Sequence, residues 1–268
     1  MNQNNQIKRP LDERTELSLN SKITDSVDVK TNVEITQDSP ANITNPGQPT
    51  ADQLAKAEEH LASIDEHWKR VVEAIGHTSF RVEKVRQPYE ALIRAVAYQQ
   101  LTTKAGKAII NRLVAKASAT GGFPTPEEIL ALEQEQLKSC GFSRRKTDTI
   151  REIARGVETG LIPSLDAAHE MVNEELIERL SQIHGIGRWT AEMLLIFGMG
   201  RLDVLPAGDL KIRDGFRYLY AMDKLPSLRE TNELGCACAP YRSIATWYLY
   251  RVTSLPDYIR LRKRSRSS

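Results

Sequence analysis

The strongest constraint on the fold is a period. From Leu54 onward apolar residues return every third or fourth position with little interruption, the repeat that gathers them on one face of an α-helix. Leu61, Ile64, Trp68, Val71, Val72 and Ile75 share such a face, so Leu54 to Ile75 is predicted as one helix. Pro88 opens the next run, where Leu92, Ile93, Val96, Ile109, Ile110 and Leu113 keep helical spacing as far as Ser118. A break near Leu101 to Gly106 splits that run in two. Thr125-Pro126-Glu127-Glu128 is a helix start: threonine can cap, proline suits the first turn, and Glu128 can reach back to the cap. Ile129 to Leu137 follows. Further helices are predicted over Ser143–Thr159, stopped by Gly160 and Pro163, then Asn173–Ile183, Thr190–Phe197, Leu210–Met222 and Ile244–Val252. Phe80 to Val85 is the one candidate strand. The expected architecture is all-α, with about eight to ten helices and short connections.

The first 53 residues lack this period. Met1 to Gln53 runs through Asn, Gln, Ser, Thr and Asp with scattered Ile and Val. Such sequence buries too little apolar surface to offset the entropy of ordering it. A disordered tail is predicted over 1–53, a helical domain over 54–258 and a basic tail over 259–268. The first segment has neither the apolar core of a secretory signal nor the acid-poor character of a transit peptide. No run reaches the roughly 18 apolar residues of a membrane span. The expectation is a soluble, intracellular protein with no membrane partner.

Charge points weakly in one direction. The 268-residue chain carries a formal net +2. Five Lys/Arg and eight Asp/Glu lie before Leu54, which leaves about +5 on the remainder, and RLRKRSR at 260–266 alone supplies five positive charges. This balance suits nucleic acid but is also common on plain solvated ends. Cys140, Cys236 and Cys238 form an odd set without framework spacing, as in a reducing compartment. Cys236 and Cys238 have no second Cys or His pair at ligand spacing nearby. An iron–sulfur cluster needs four thiolates and is excluded by count.

The stretch from Leu180 to Phe216 carries the chemistry. Gly185 and Gly187 flank Ile186 in a turn between two helical runs. Glycines permit positive φ and close backbone approach, and a helix starting near Arg188 would turn unpaired N–H groups outward, a ready site for a phosphate oxygen. An ordinary αα-corner explains the same glycines equally well. Downstream, Pro206-Ala207-Gly208 breaks the chain and Asp209 precedes a helical run, where aspartate is a favoured N-cap. A capping aspartate can also be catalytic. Asp203 and Asp214 compete for that role, and spacing does not choose among the three.

Four blocks occur in one order: RAVAYQQLTTKAG at Arg94–Gly106, CGFSRRKTDTI at Cys140–Ile150, HGIGRWTAEMLLIFGMGRLDVLPAGDLKIRDG at His184–Gly215, and PYRSIATWYLYR at Pro240–Arg251. Together they resemble the helix-hairpin-helix DNA glycosylase superfamily, and within it the alkylbase group, the 3-methyladenine DNA glycosylase II family. The likeness covers most of the chain after the first segment. It implies two helical lobes with the active-site cleft between them, the hairpin at 180–197 and the catalytic loop at 203–210. It implies a monofunctional glycosylase of base excision repair, which flips alkylated purines (3-methyladenine and 7-methylguanine) out of duplex DNA and releases them by hydrolysis, leaving an abasic site. A non-catalytic helix-hairpin-helix protein that binds damaged DNA is the alternative; it needs the hairpin but not Asp209.

The resemblance also distributes roles. Asp209 falls on the family's catalytic aspartate, and Asp203 and Asp214 do not. A carboxylate there stabilises the oxocarbenium-like state in which the base–sugar bond breaks, and it can orient or deprotonate the attacking water. Superfamily members that also cut the strand carry a lysine nucleophile where this chain has Trp189, so strand cleavage is not expected. Trp189, Met193 and Tyr250 fall at the base pocket, where an indole face suits a cationic base. Three departures bear on lesion range: Tyr250 and Met193 stand where relatives have pocket aromatics (often tryptophan at the first), and Cys238 stands where many have tryptophan before Pro-Tyr-Arg. Gly185, Ile186, Gly187 and Thr190 match the residues that contact the DNA backbone. Gln100 and Leu101 match the intercalating turn, where one side chain fills the gap left by the flipped nucleotide. The carbonyls of Ser181, Ile183 and Ile186 match a Na+ or K+ site, and no cofactor is required. The expected partner is duplex DNA containing alkylated bases, bound by a monomer, in the cytoplasm or nucleoid of a prokaryote or the nucleus of a eukaryote.

Overall fold

The computed structural model describes residues 47–82, 86–252, 254–256 and 258. Most of the predicted N-terminal tail and all of the predicted basic tail at 259–268 lie outside these. The described residues hold thirteen α-helices, one π-helical turn and one 3-10 turn, and no strand. Phe80–Val82 of the candidate strand is irregular, and the other half of that candidate lies outside the described residues.

The first element starts earlier than the apolar period suggests. Helix α1 (Ala51–Ile64) is capped by Thr50, whose hydroxyl accepts from Gln53 N while the Gln53 side chain accepts from Thr50 N. The predicted boundary after Gln53 therefore falls inside α1. Residues 47–50 are anchored as well: Gln48 Oε1 accepts from Val82 N at 2.9 Å. The backbones of Gly47 and Gly200 lie so close that a Cβ on Gly200 would sit 1.7 Å from the Gly47 carbonyl oxygen.

The single helix predicted from Leu54 to Ile75 is two. Asp65 is extended between α1 and α2 (Glu66–Ile75), and its Oδ1 accepts from His67 N and Trp68 N, each at 2.9 Å. A cap of this kind satisfies first-turn donors and restarts the helix in a new direction. The break in the next run falls at 99–102, between α3 (Pro88–Tyr98) and α4 (Thr103–Ala117), slightly before the predicted one. The capping box at Thr125 forms as read, but its helix divides into α5 (Pro126–Ala131) and α6 (Gln134–Ser139). There the Arg151 guanidinium donates to the carbonyl of Leu132 at 2.7 Å, satisfying an end that would otherwise need to continue. Then come α7 (Arg144–Glu158), α8 (Leu165–Glu170), α9 (Asn173–Ser181) and α10 (Arg188–Met193), which runs into a π turn at Leu194–Gly198. The chain ends with α11 (Leu210–Leu219), α12 (Leu228–Gly235), the 3-10 turn Cys236–Cys238 and α13 (Arg242–Val252).

Packing sorts these elements into two lobes that interleave in sequence. In one, α13 packs on α1, α2 and α11; Trp68 meets Phe216 edge-on, and the Tyr248 hydroxyl donates to Gly76 O at 2.9 Å. In the other, α3 and α7 form the centre, flanked by α4, α5 and α6, with α3 also packed on the π turn that follows α10. Leu92, Ile93, Ile110, Leu113, Ile129, Leu137 and Ile150 are fully buried there, each worth about 1.5–3 kcal/mol of hydrophobic stabilisation. The chain leaves the first lobe after α2 and returns along 199–209. That returning loop is braced throughout. Arg201 donates to the carbonyls of Ala168, His169 and Met171, and Arg242 grips Asp203 with two bonds of 2.6 and 2.9 Å. Ser243 Oγ joins Arg201 O to Val204 N. The loop ends at Asp209, which is thereby delivered to the junction of the lobes.

Candidate active site

Asp209 is 1% exposed and is the N-cap of α11. Its Oδ1 accepts from Lys211 N at 2.7 Å and Ile212 N at 3.4 Å. Its Oδ2 accepts from the Trp189 indole Nε1–H at 2.6 Å and from the Tyr250 hydroxyl at 2.7 Å. The capping role and the site role are thus divided between the two oxygens. Four donors face one carboxylate and fix its orientation. Trp189 comes from α10, Asp209 from the returning loop and Tyr250 from α13, so three separate segments converge on one oxygen pair.

The competing acids are occupied elsewhere. Burial pushes the Asp203 carboxyl up, but the bonds and charge of Arg242 outweigh it and hold the group below the usual carboxylate range. Asp214 pairs with Arg217 at 2.7 Å and accepts from the Tyr258 hydroxyl. Neither meets Trp189 or Tyr250. The expected pocket residues do come together: Trp189, Met193 and Tyr250 are all half-buried, and the Tyr250 hydroxyl lies 3.8 Å from Met193 Sδ. Burial first, and then the Asp209 charge, drive the Tyr250 phenol well above its ordinary pKa.

The hairpin glycines have different reasons to be glycine. Gly185 has φ +89°, and a Cβ there would meet Thr149 Oγ1 at 2.1 Å. Its requirement is internal, set by α7. Gly187, the N-cap of α10, has an ordinary φ of −90°, and a Cβ there would meet nothing within 4 Å. Nothing inside the protein demands glycine at 187. Ile186 is buried at 3% and anchors the turn. Thr190 is buried at 8% exposure and lies in the first turn of α10, where backbone N–H groups lack helical acceptors.

Family comparison agrees with this arrangement. The model of the HhH-GPD superfamily, base excision DNA repair proteins, matches residues 93–238, more than half of the chain. The chain belongs to the HhH-GPD superfamily. It is 50% identical over 206 residues to DNA-3-methyladenine glycosylase 1 of Schizosaccharomyces pombe, covering 76% of this chain and 90% of that one. The alkylbase DNA glycosidase-like protein mag2 of the same organism is 38% identical over 200 residues, covering 75% and 94%. The solved structure of S. pombe 3-methyladenine DNA glycosylase (Mag1) with abasic DNA superposes with a TM-score of 0.65 at 51% identity, covering 76% of this chain and 98% of that one. This HhH-GPD protein has no helix among its described residues long and apolar enough to cross a membrane.

Two further groups of expected residues lie at helix ends. At the turn between α3 and α4, Gln100 is exposed with φ +60°, a left-handed backbone rare outside glycine. Leu101 is half-buried against the core. The turn therefore displays Gln100 and retains Leu101. At the end of α9, the Ser181 hydroxyl is buried with no partner, on the residue that carries the first of the three expected cation-ligand carbonyls; Ile183 O accepts from Ile186 N at 3.0 Å. A carbonyl at a helix C-terminus, with an unpartnered hydroxyl oxygen on the same residue, is chemistry that fits a monovalent cation.

Sequence reasoning missed an acidic pair around Arg188. That guanidinium is held by Glu174 at 2.5 and 2.7 Å and by Glu192 at 2.9 Å, tying the two hairpin helices together. Glu192 is 4% exposed. Burial pushes its carboxyl up to about 7 against the pull of Arg188, with the charges of Glu174 and Asp209 adding to the rise. The i,i+4 spacing of Arg188 and Glu192 was the available signal; a reading for apolar periodicity passes over it.

Proposed function

We propose that this HhH-GPD protein is a monofunctional DNA glycosylase that flips alkylated purines, 3-methyladenine foremost and 7-methylguanine next, from duplex DNA and releases them hydrolytically. The observation that carries this reading is the convergence of Trp189 and Tyr250 on Oδ2 of the buried Asp209. The names of the S. pombe relatives, at 50% and 38% identity, support the substrate class.

The residues act as follows. The N–H groups of the Gly185–Thr190 turn hold a backbone phosphate, and the carbonyls of Ser181, Ile183 and Ile186 would hold Na+ or K+, which supplies positive charge beside that phosphate. Gln100 enters the stack where the nucleotide leaves it. The extruded base lies against Trp189, Met193 and Tyr250, whose electron-rich faces favour a cationic purine. An alkylated purine bearing positive charge is already a good leaving group, so no strong acid on the base is needed. Asp209 supplies a fixed negative charge to the sugar as the bond breaks and orients the water that adds to C1′. No amine stands at residue 189, so no Schiff base forms with the sugar and the strand stays intact. A mere damage-binding module gives no reason for three segments to immobilise one carboxylate. The protein acts as a monomer on DNA, within the compartment that holds it.

The test is base release from methylated, deaminated and etheno-modified duplexes, with Asp209→Asn as control. Release of methylated purine, abasic product in an unbroken strand and no borohydride-trapped adduct are expected. Tight binding without release, or a trapped adduct, overturns the proposal.

A further inference from the structure

Helix α7 touches both DNA-facing turns. From its first turn, Lys146 Nζ donates to Gln99 O at 2.7 Å and to Ala97 O at 3.2 Å. These carbonyls end α3, where no helical N–H remains to receive them. The two bonds grip the chain immediately before Gln100, the exposed residue with φ +60°. A non-glycine residue keeps that conformation only when its surroundings impose it. On the far side of the turn Tyr98 packs so tightly on Gly106 that a Cβ there would meet its ring at 2.2 Å. Three residues along α7 from Lys146, and so on the same face, Thr149 presses on Gly185 of the hairpin turn. Thr149 is 2% exposed and is itself tied to Arg145 O at 3.1 Å.

We propose that Lys146 is a positioning residue for base extrusion: it holds the Gln99–Leu101 turn, and with Thr149 against Gly185 it makes α7 a rigid spacer that sets Gln100 relative to the phosphate-binding hairpin. Extrusion needs a wedge and a backbone anchor at a set separation, and an error near 1 Å in such an arrangement costs rate steeply. A lysine serves because one ammonium donates to two carbonyls at once. Burial pulls its pKa down to about 8, the cost of keeping that charge half-inside the protein.

This inference rests on the wedge role assigned to Gln100 above, and the experiment separates the two. Lys146→Met and Lys146→Arg are made in wild-type and Gln100→Ala backgrounds. Three quantities are read: single-turnover base release, affinity for undamaged duplex, and fluorescence of 2-aminopurine placed beside the lesion, which rises on unstacking. Lys146→Met is expected to lower release and the fluorescence change roughly tenfold, to leave affinity for undamaged duplex within about twofold since the hairpin is untouched, and to add nothing once Gln100 is alanine. Lys146→Arg, which keeps donors for both carbonyls, restores most of the signal. An equal loss in both backgrounds, or no loss in wild type, overturns the positioning role while the wedge stands. Full release by Gln100→Ala removes the wedge reading and the inference with it. Should Lys146→Met fail to fold, Lys146→Gln, which stays polar but cannot reach both carbonyls, carries the same comparison.

Discussion

The substitution Asp209→Asn separates the two duties of this side chain, because each oxygen has its own donors. Asparagine caps helices as well as aspartate does, so its carbonyl oxygen takes the Oδ1 place and keeps the N–H groups of Lys211 and Ile212. Its NH2 must then face the Trp189 indole and the Tyr250 hydroxyl, both donors to Oδ2 at 2.6 and 2.7 Å in the parent protein. The tyrosine hydroxyl can turn and accept. The indole N–H cannot accept, so one donor is left facing another. An unpaired donor costs about 1–3 kcal/mol, and the half-exposure of Trp189 argues for about 1–2. In a domain of this size that lowers Tm by roughly 3–6 °C. Base release should fall about 10²–10³-fold, the usual effect of removing one group that stabilises transition-state charge. Trp189→Phe removes the stranded donor. In the Asp209→Asn background it should therefore cost about 1–2 kcal/mol less than in wild type, a coupling that a double-mutant cycle in urea resolves. Release stays low in the double variant. Zero coupling would refute the indole–carboxylate geometry, and release within about threefold of wild type by Asp209→Asn would refute the electrostatic role.

Four further outcomes follow from the contacts described. Glu192, raised in the fold to about 7 from an ordinary 4.5, binds a proton in the native state that the unfolded chain has lost, so stability should fall as pH climbs between those values; Glu192→Gln flattens that slope in Tm measured against pH. Gly185→Ala, forced to φ +89° and onto Thr149, should cost about 2 kcal/mol or more. Gly187→Ala should melt within about 0.5 kcal/mol of wild type yet bind damaged and undamaged duplex more weakly, and Gly187→Asp more weakly still; a loss confined to damaged DNA contradicts phosphate anchoring. Removing residues 1–46 should leave turnover and Tm unchanged, whereas cutting through Gln53 deletes the Thr50 cap and the Gln48–Val82 bond and should lower stability by about 1–2 kcal/mol.

What could be read from the chain was what depends on neighbours in sequence. The all-α class follows from the period, and the Thr125 capping box and the Ser143 cap of α7 form where their residues stand. The short helices α8 and α12 escaped because six to eight residues carry little periodic signal. Their caps were nonetheless present as Ser164 and as the box Ser227 to Glu230. The split at Asp65 escaped for the opposite reason: the apolar face continues through it, and the aspartate is held partly by the Tyr220 hydroxyl from far along the chain. Resemblance could pick out Asp209 among three acids. It could not show that Arg242 and Arg217 neutralise the other two, or that Lys146 reaches back across 47 residues to the turn before Gln100. It also left Gln100 and Leu101 equivalent, and backbone conformation separates them.

The interleaved topology accounts for where the chemistry sits. One continuous set of buried apolar residues runs through both lobes, and the carboxylate adds a helix cap and two side-chain bonds at their junction. The junction is crossed by the loop from Met199 to Asp209, which polar bonds of Arg201, Arg242 and Ser243 brace. Because Trp189 hangs from one lobe and Tyr250 from the other, the two bonds to Oδ2 also measure the alignment of the lobes. It follows that Tyr250→Phe, which removes the tether on one side only, should alter the rate of base release more than it alters DNA affinity. Equal changes in both would mean that the Tyr250–Asp209 bond serves DNA binding and not the role of the carboxylate in release.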